Sequence, residues 1–197
     1  MLGPMLSRRQ VLRGIGAVGA GVALPTVAVP GAAWASTARA ISLPQLVGLS
    51  QYALVGTPAG ATSRWETVGS SRRIVTYVTL QVSHPIDGRP PGDTSLMVRT
   101  LGGSVGDIGQ LVHGEARLEL GAPAVVFLTP DGDGVLGVTA MAQGHYPLSF
   151  DPDKIARLRP SPDMPALLDV KDSAVQRLVR RTVLEAEQLV SEIMLPR

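Results

Sequence analysis

The 197-residue chain contains no cysteine. Disulfides, cysteine-ligated metals and a lipid-modified cysteine anchor are therefore excluded. In an oxidising compartment such a fold stands on its core alone. Aromatic residues are scarce, at two Trp, three Tyr and two Phe, so the core must be built from Val, Leu, Ile and Ala. A platform of rings for stacking bases or sugars is hard to assemble from so few. Charge of one sign is lacking as well, with 18 basic and 16 acidic residues. Nucleic-acid binding needs a basic face and gains no support from this balance. A long apolar run is also missing. The most apolar stretch, Gly14 to Val29, falls short of the ~20 residues of a spanning helix. It also holds Gly14, Gly16, Gly19, Gly21, Pro25 and Pro30 at or near its end, which weaken any helix.

What stands in front of that stretch is Ser7-Arg8-Arg9-Gln10-Val11-Leu12-Arg13. Paired arginines before a weakly apolar run read as a twin-arginine export signal, a route for cargo that has already folded. Ala33-Trp34-Ala35 places small residues where a signal peptidase needs them. Residues 1–35 are thus an address, handled by the twin-arginine export machinery and signal peptidase, and the working chain is Ser36–Arg197. Loss of Arg8, Arg9 and Arg13 takes the 18 basic residues to 15 against 16 acids. The expected location is periplasmic or extracellular, with no stable membrane span after cleavage.

The remaining length suits one domain. Ser42-Leu43-Pro44-Gln45 has the form of a capping box opening a short helix, Leu43 to Ser50. Ala53 to Thr57, ended by Pro58, reads as a buried strand that continues irregularly through Thr62–Glu66. Arg72 to Ser83 alternates with period two and is the clearest strand. Further strands are expected at Ser95–Leu101, Ala116–Leu120, Ala124–Leu128 and Val135–Met141. Pro130-Asp131-Gly132-Asp133-Gly134 should join the last two as a hairpin; an EF-hand calcium loop would need twelve residues ending in Glu. Residues 151–170 are proline-rich and expected to be irregular. Ser173 with Gln176 should cap a long amphipathic helix reaching Ile193. The fold class is mainly β with flanking helices (α+β): a small OB-like β-barrel over residues 36–150, and a connector and C-terminal helix over 151–197 packed on the same domain.

Several segments resemble a group of uncharacterised exported bacterial proteins. They are Ser42-Leu43-Pro44-Gln45-Leu46-Val47, Ala53-Leu54-Val55, Arg73-Ile74-Val75-Thr76, Leu101 to Asp107, and Gly137-Val138 with Met141-Ala142-Gln143-Gly144. The resemblance spans about residues 42–148. The layout is more distantly similar to netrin-like domains, OB-type barrels that include the tissue inhibitors of metalloproteinases. The similarity implies a barrel that binds an exported partner. The inhibitors' N-terminal cysteine has no counterpart here, so their mechanism does not carry over.

The glycine-rich bend Gly102-Gly103-Ser104-Val105-Gly106-Asp107-Ile108-Gly109 permits close backbone approach, as an anion nest or as a barrel corner. Gln143-Gly144-His145-Tyr146 follows the last barrel strand and is expected near that bend. Arg64-Trp65 is either a binding edge or a Trp packed over one end of the barrel. These residues form the expected binding surface of a non-enzymatic exported module that binds, inhibits or escorts another envelope or secreted protein. Two alternatives are a small-ligand carrier and a metal-assisted hydrolase using His113, Glu115 and His145. The hydrolase requires those groups to converge, with His113 and Glu115 sharing a strand face. No cofactor is expected, and no catalytic residue if the module is purely a binder.

Overall fold

The computed structural model describes residues 37–195, apart from 88 and 90. The leader, with Arg8, Arg9, Ala33 and Ala35, lies outside the described residues. The fold is mainly β with a few short helices. Strand β1 (Thr37–Arg39) leads to helix α1 (Leu43–Leu49). Gln45 N–H donates to Ser42 Oγ, and Ser42 N–H donates to Gln45 Oε1 at 3.1 Å, so the capping box forms as expected. Leu43, Leu46 and Val47 are the buried face.

Strand β2 (Tyr52–Val68) passes Pro58 and takes in Thr62–Glu66, the irregular continuation expected there, as one strand. Register shifts at Val55/Gly56 and Pro58/Gly60 accommodate the proline, which has no N–H to give the ladder. A turn at Gly69-Ser70 returns the chain as β3 (Ser71–Pro85), and β4 (Ser95–Leu101) pairs beside it. Val78, Leu80 and Val98 point to one side, where they meet Leu54, Val126, Leu128 and Val138. Their sequence neighbours Tyr77, Thr79, Met97 and Arg99 therefore point to the other side.

The glycine-rich bend is a small hairpin, β5 (Gly103–Val105) and β6 (Ile108–Gln110). Strand β7 (Ala124–Pro130) turns into β8 (Leu136–Val138). The pairings run β2–β3–β4–β8–β7 and back to β2, and only the β4–β8 contact is parallel. β7 is buried on both faces, which explains its continuous apolar run. Val126 and Leu128 face the ring's interior, while Val125 and Phe127 face a second cluster built with α1 and the C-terminal helices. β9 (His145–Phe150) extends the sheet beyond β7, and β10 (Ala156–Leu158) beyond β9.

Three expectations need correction. Residues 116–120 form no strand. Gly114 and Gly121 flank them at positive φ, and the Arg117 N–H donates to the Asp163 carboxylate rather than to a neighbouring strand. His113 and Glu115 therefore share no strand face. The strand expected to reach Met141 stops at Val138, because Ala140 and Met141 turn left-handed into a 3₁₀ turn, Met141–Gly144. The C-terminal helix is broken into α2 (Ala174–Leu178) and α3 (Val183–Met194). Leu158 of β10 claims the backbone between them: Leu158 N–H donates to Arg181 O and Arg180 N–H donates to Leu158 O, both at 2.8 Å. Thr182 and Glu185 then make a fresh capping box. The one expected at Ser173 stays half closed, because Gln176 Oε1 accepts from Asp172 instead.

The connector 151–170 is not wholly irregular. Besides β10 it holds β11 (Ala166–Leu168), which pairs in parallel with β1.

Candidate functional site

Arg99 lies opposite Tyr77 on the outward side of β3 and β4. Its side chain is nevertheless only 6% exposed, because the β7–β8 turn folds over it. The turn closes where Asp131 N–H donates to Val135 O and Gly134 N–H donates to Asp131 O, the hairpin expected of this sequence. Both aspartates then face the guanidinium. One terminal nitrogen of Arg99 donates to Glu66 Oε1 at 3.0 Å and Asp133 Oδ2 at 2.6 Å. The other donates to Asp131 Oδ2 at 2.8 Å and Asp133 Oδ1 at 3.1 Å. Burial alone would make Arg99 less basic, yet the hydrogen bonds to Asp133 and Asp131 hold it charged above its usual value. Asp133 is held below the ordinary carboxylate range, chiefly by its hydrogen bond from Arg99. Glu66 is lowered too, first by the Tyr77 hydroxyl, which donates to Glu66 Oε2 at 2.9 Å. The Arg64 guanidinium lies 4.3 Å over the Tyr77 ring and pairs with Glu66 at 3.0 Å.

Beside this network opens a cleft of about 630 Å³, with Val68, Arg99, Glu115, Asp131, Asp133 and Met141 among its walls. Two turns border it, Val68–Gly69 between β2 and β3 and Asp131–Asp133 between β7 and β8. Glu115 is 8% exposed. Burial pushes its carboxyl up to about 7; a hydrogen bond from the Leu101 backbone opposes this, and the charges of Asp131 and Asp163 add to it.

His145 occupies a different place. It is 4% exposed, with Nδ1 3.1 Å from Ser161 Oγ. Burial pushes its pKa down to about 4, against the opposing charge of Asp163, so the ring is neutral near pH 7. It lines a pocket of about 210 Å³ with Leu118, Pro147, Pro162, Arg117 and Asp163. Ser161 was not legible as its partner, since a Ser between two prolines has the appearance of a plain loop residue. His113 is exposed in a third depression, beside Leu111, Met164 and Pro165. The three groups singled out for hydrolysis thus line separate depressions. Among the described residues no cluster of three or more His, Asp or Glu side chains is placed to hold a metal.

The expected binding surface is also divided. Arg64 and Trp65 are exposed near the end of the β2–β3 hairpin, with the Arg72 guanidinium 5.2 Å over the indole. Gly106 and Asp107 are exposed at the tip of β5–β6. Gly102 is buried, and Gly103 lies against the Ser63 and Thr76 hydroxyls at φ +124°, where a Cβ would overlap both. Gln143, Gly144, His145 and Tyr146, expected at the surface, are buried. Gln143 has a structural task, since its Oε1 accepts from Ile41 N–H at 2.9 Å and its Nε2 donates to Arg39 O at 3.1 Å. In the sequence the pair Asp131 and Asp133 presents only turn chemistry. Its role at Arg99 depends on β8 lying beside β4, which no local pattern displays.

Residues 5–25 match the TAT (twin-arginine translocation) pathway signal sequence. Arg8 and Arg9 fall within that match. The signal implies handling by the twin-arginine machinery and signal peptidase, and export across the membrane. No helix among the described residues is long and apolar enough to cross a membrane. No curated protein and no solved structure matches the chain.

Proposed function

We propose that the exported chain is a non-enzymatic binding module on an OB-type barrel, which seats another envelope or secreted protein in the Arg99 cleft. The strand order supports the barrel reading. With β2, β3, β4, β7 and β8 counted first to fifth, the ring runs first, second, third, fifth, fourth. A single parallel contact joins the third and fifth, as an OB-type barrel requires.

One observation carries the functional step. OB-type barrels bind on the face of their second and third strands, between the loops that follow the first and the fourth. Here those parts are β3–β4, the β2–β3 turn and the β7–β8 turn, and the cleft lies among them. Fold analogy alone would be a weak warrant; a built cleft at that place strengthens it. Its carboxylates oppose a nucleic-acid ligand. A small-ligand carrier has less support, since Leu54, Val78, Leu80, Val98, Val126 and Leu128 fill the ring. So does a metal-assisted hydrolase, since His113, Glu115 and His145 share no one depression.

The test is cross-linked capture from the exported fraction with wild type and with D131N/D133N. A partner held by wild type and lost by a double variant with unchanged circular dichroism supports the reading. Equal capture by both proteins, or capture of nothing above background, overturns it.

A further inference from the structure

The geometry points to a cation as the ligand of the Arg99 cleft: the arginine or lysine side chain of a partner segment. This rests on the cleft being the binding seat. Arg99 is the one base among the cleft-lining residues, and both its terminal nitrogens are occupied by Glu66, Asp131 and Asp133. An anion could reach either terminal nitrogen only by displacing a charge-assisted hydrogen bond. The exposed groups of the cleft are acceptors instead. Asp131 and Asp133 are each about half exposed, and Asp131 Oδ1 accepts no side-chain hydrogen bond among the described residues.

Glu115 supplies an independent argument. It lines the same cleft, more than nine-tenths buried, and its carboxylate has no side-chain partner among the described residues. Burial disfavours the charged form of Glu115, and an entering cation restores it. Val68, Leu101, Val138 and Met141 line the cleft beside the carboxylates. They give the aliphatic stem of an arginine or lysine an apolar wall while its head meets the acids.

The experiment uses the secreted protein, labelled at the methionine methyls, titrated with acetyl-Gly-Arg-Gly-amide and with the same peptide carrying neutral citrulline. The arginine peptide should shift the Met141 methyl saturably, leave Met194 of α3 unmoved, and bind more weakly as salt rises. Citrulline should have little effect, and E115Q, which keeps the shape of the side chain, should weaken arginine-peptide binding by about tenfold. D131N should weaken it too. Equal shifts from both peptides, or no saturable shift from arginine, overturn the inference. If a captured partner is nevertheless lost on D131N/D133N, the cleft remains the seat and only its cationic ligand is wrong. If the arginine peptide binds but capture does not depend on the cleft, the binding-seat reading fails and the cation site stands.

Discussion

Tyr146 meets Phe127 edge to face, with ring centroids 6.2 Å apart and planes at 77°. Both rings are fully buried, and the Tyr146 hydroxyl has no hydrogen-bond partner among the described residues. Burial also pushes this phenol well above its ordinary ionisation range. An unpaired buried hydroxyl costs free energy. Tyr146→Phe should therefore leave the ring contact intact and be neutral or stabilising by up to about 1–2 kcal/mol. The urea midpoint checks this, and a clear loss would reveal a partner for the hydroxyl.

Glu115 and His145 should make stability depend on pH in opposite directions. Glu115 rises from 4.5 to about 7 in the fold, so between those values the native state holds a proton that the unfolded chain lacks. Its contribution falls as pH rises. His145 drops from 6.5 to about 4, so between those values the unfolded chain holds the extra proton. Its contribution rises with pH. From roughly pH 4.5 to 6.5 the two slopes should largely cancel. E115Q should then become more stable with rising pH in that window, and H145Q less stable, each by ~2 kcal/mol across it. Chemical denaturation at several pH values reads this directly. Asp131 and Asp163 act on Glu115, and Asp163 on His145, through their charges; a parallel response from both variants would refute the assignment.

Two glycines should respond oppositely to alanine. A Cβ on Gly144 would run into the Thr139 carbonyl, a backbone atom that cannot swing aside. Gly144→Ala should cost about 1–3 kcal/mol. Gly48, exposed in α1, has open space around it. Gly48→Ala should add about 0.5–1 kcal/mol through helix propensity. Thermal melts of the two variants separate the cases.

Arg8 and Arg9 lie within the matched signal. Replacing both with lysine should strand the precursor inside the cell. Fractionation followed by immunoblotting tests this, and undiminished export of the variant would reject the route.

Local patterns in this sequence were readable where local physics decides them. The Ser42–Gln45 cap, the alternation of β3 and the Asp131–Gly134 turn each depend on residues within a few positions. What stayed hidden depends on distant backbone. The Thr182–Glu185 cap is written in the sequence, but the apolar spacing around it reads equally well as continuous helix. Only Leu158, bonding at Arg180 and Arg181, breaks that helix. Pro58 breaks the local pattern for the same reason: the bulge that lets β2 run on unbroken to Val68 depends on β3. Of the cleft, Glu115 was singled out for its chemistry; Arg99, Asp131 and Asp133 were not, because they meet only once the ring closes.

The pairing of β1 with β11 bears on timing at the ribosome. Thr37–Arg39 is among the first folded segments to be synthesised, yet its partner is Ala166–Leu168. The Ile41 carbonyl likewise waits for the Ala174 N–H. The signal precedes this seam in the sequence, and the seam can be sewn only once residues 166–174 have been made. On a route for folded cargo, closure of that seam would require every strand between its two halves to have been made first.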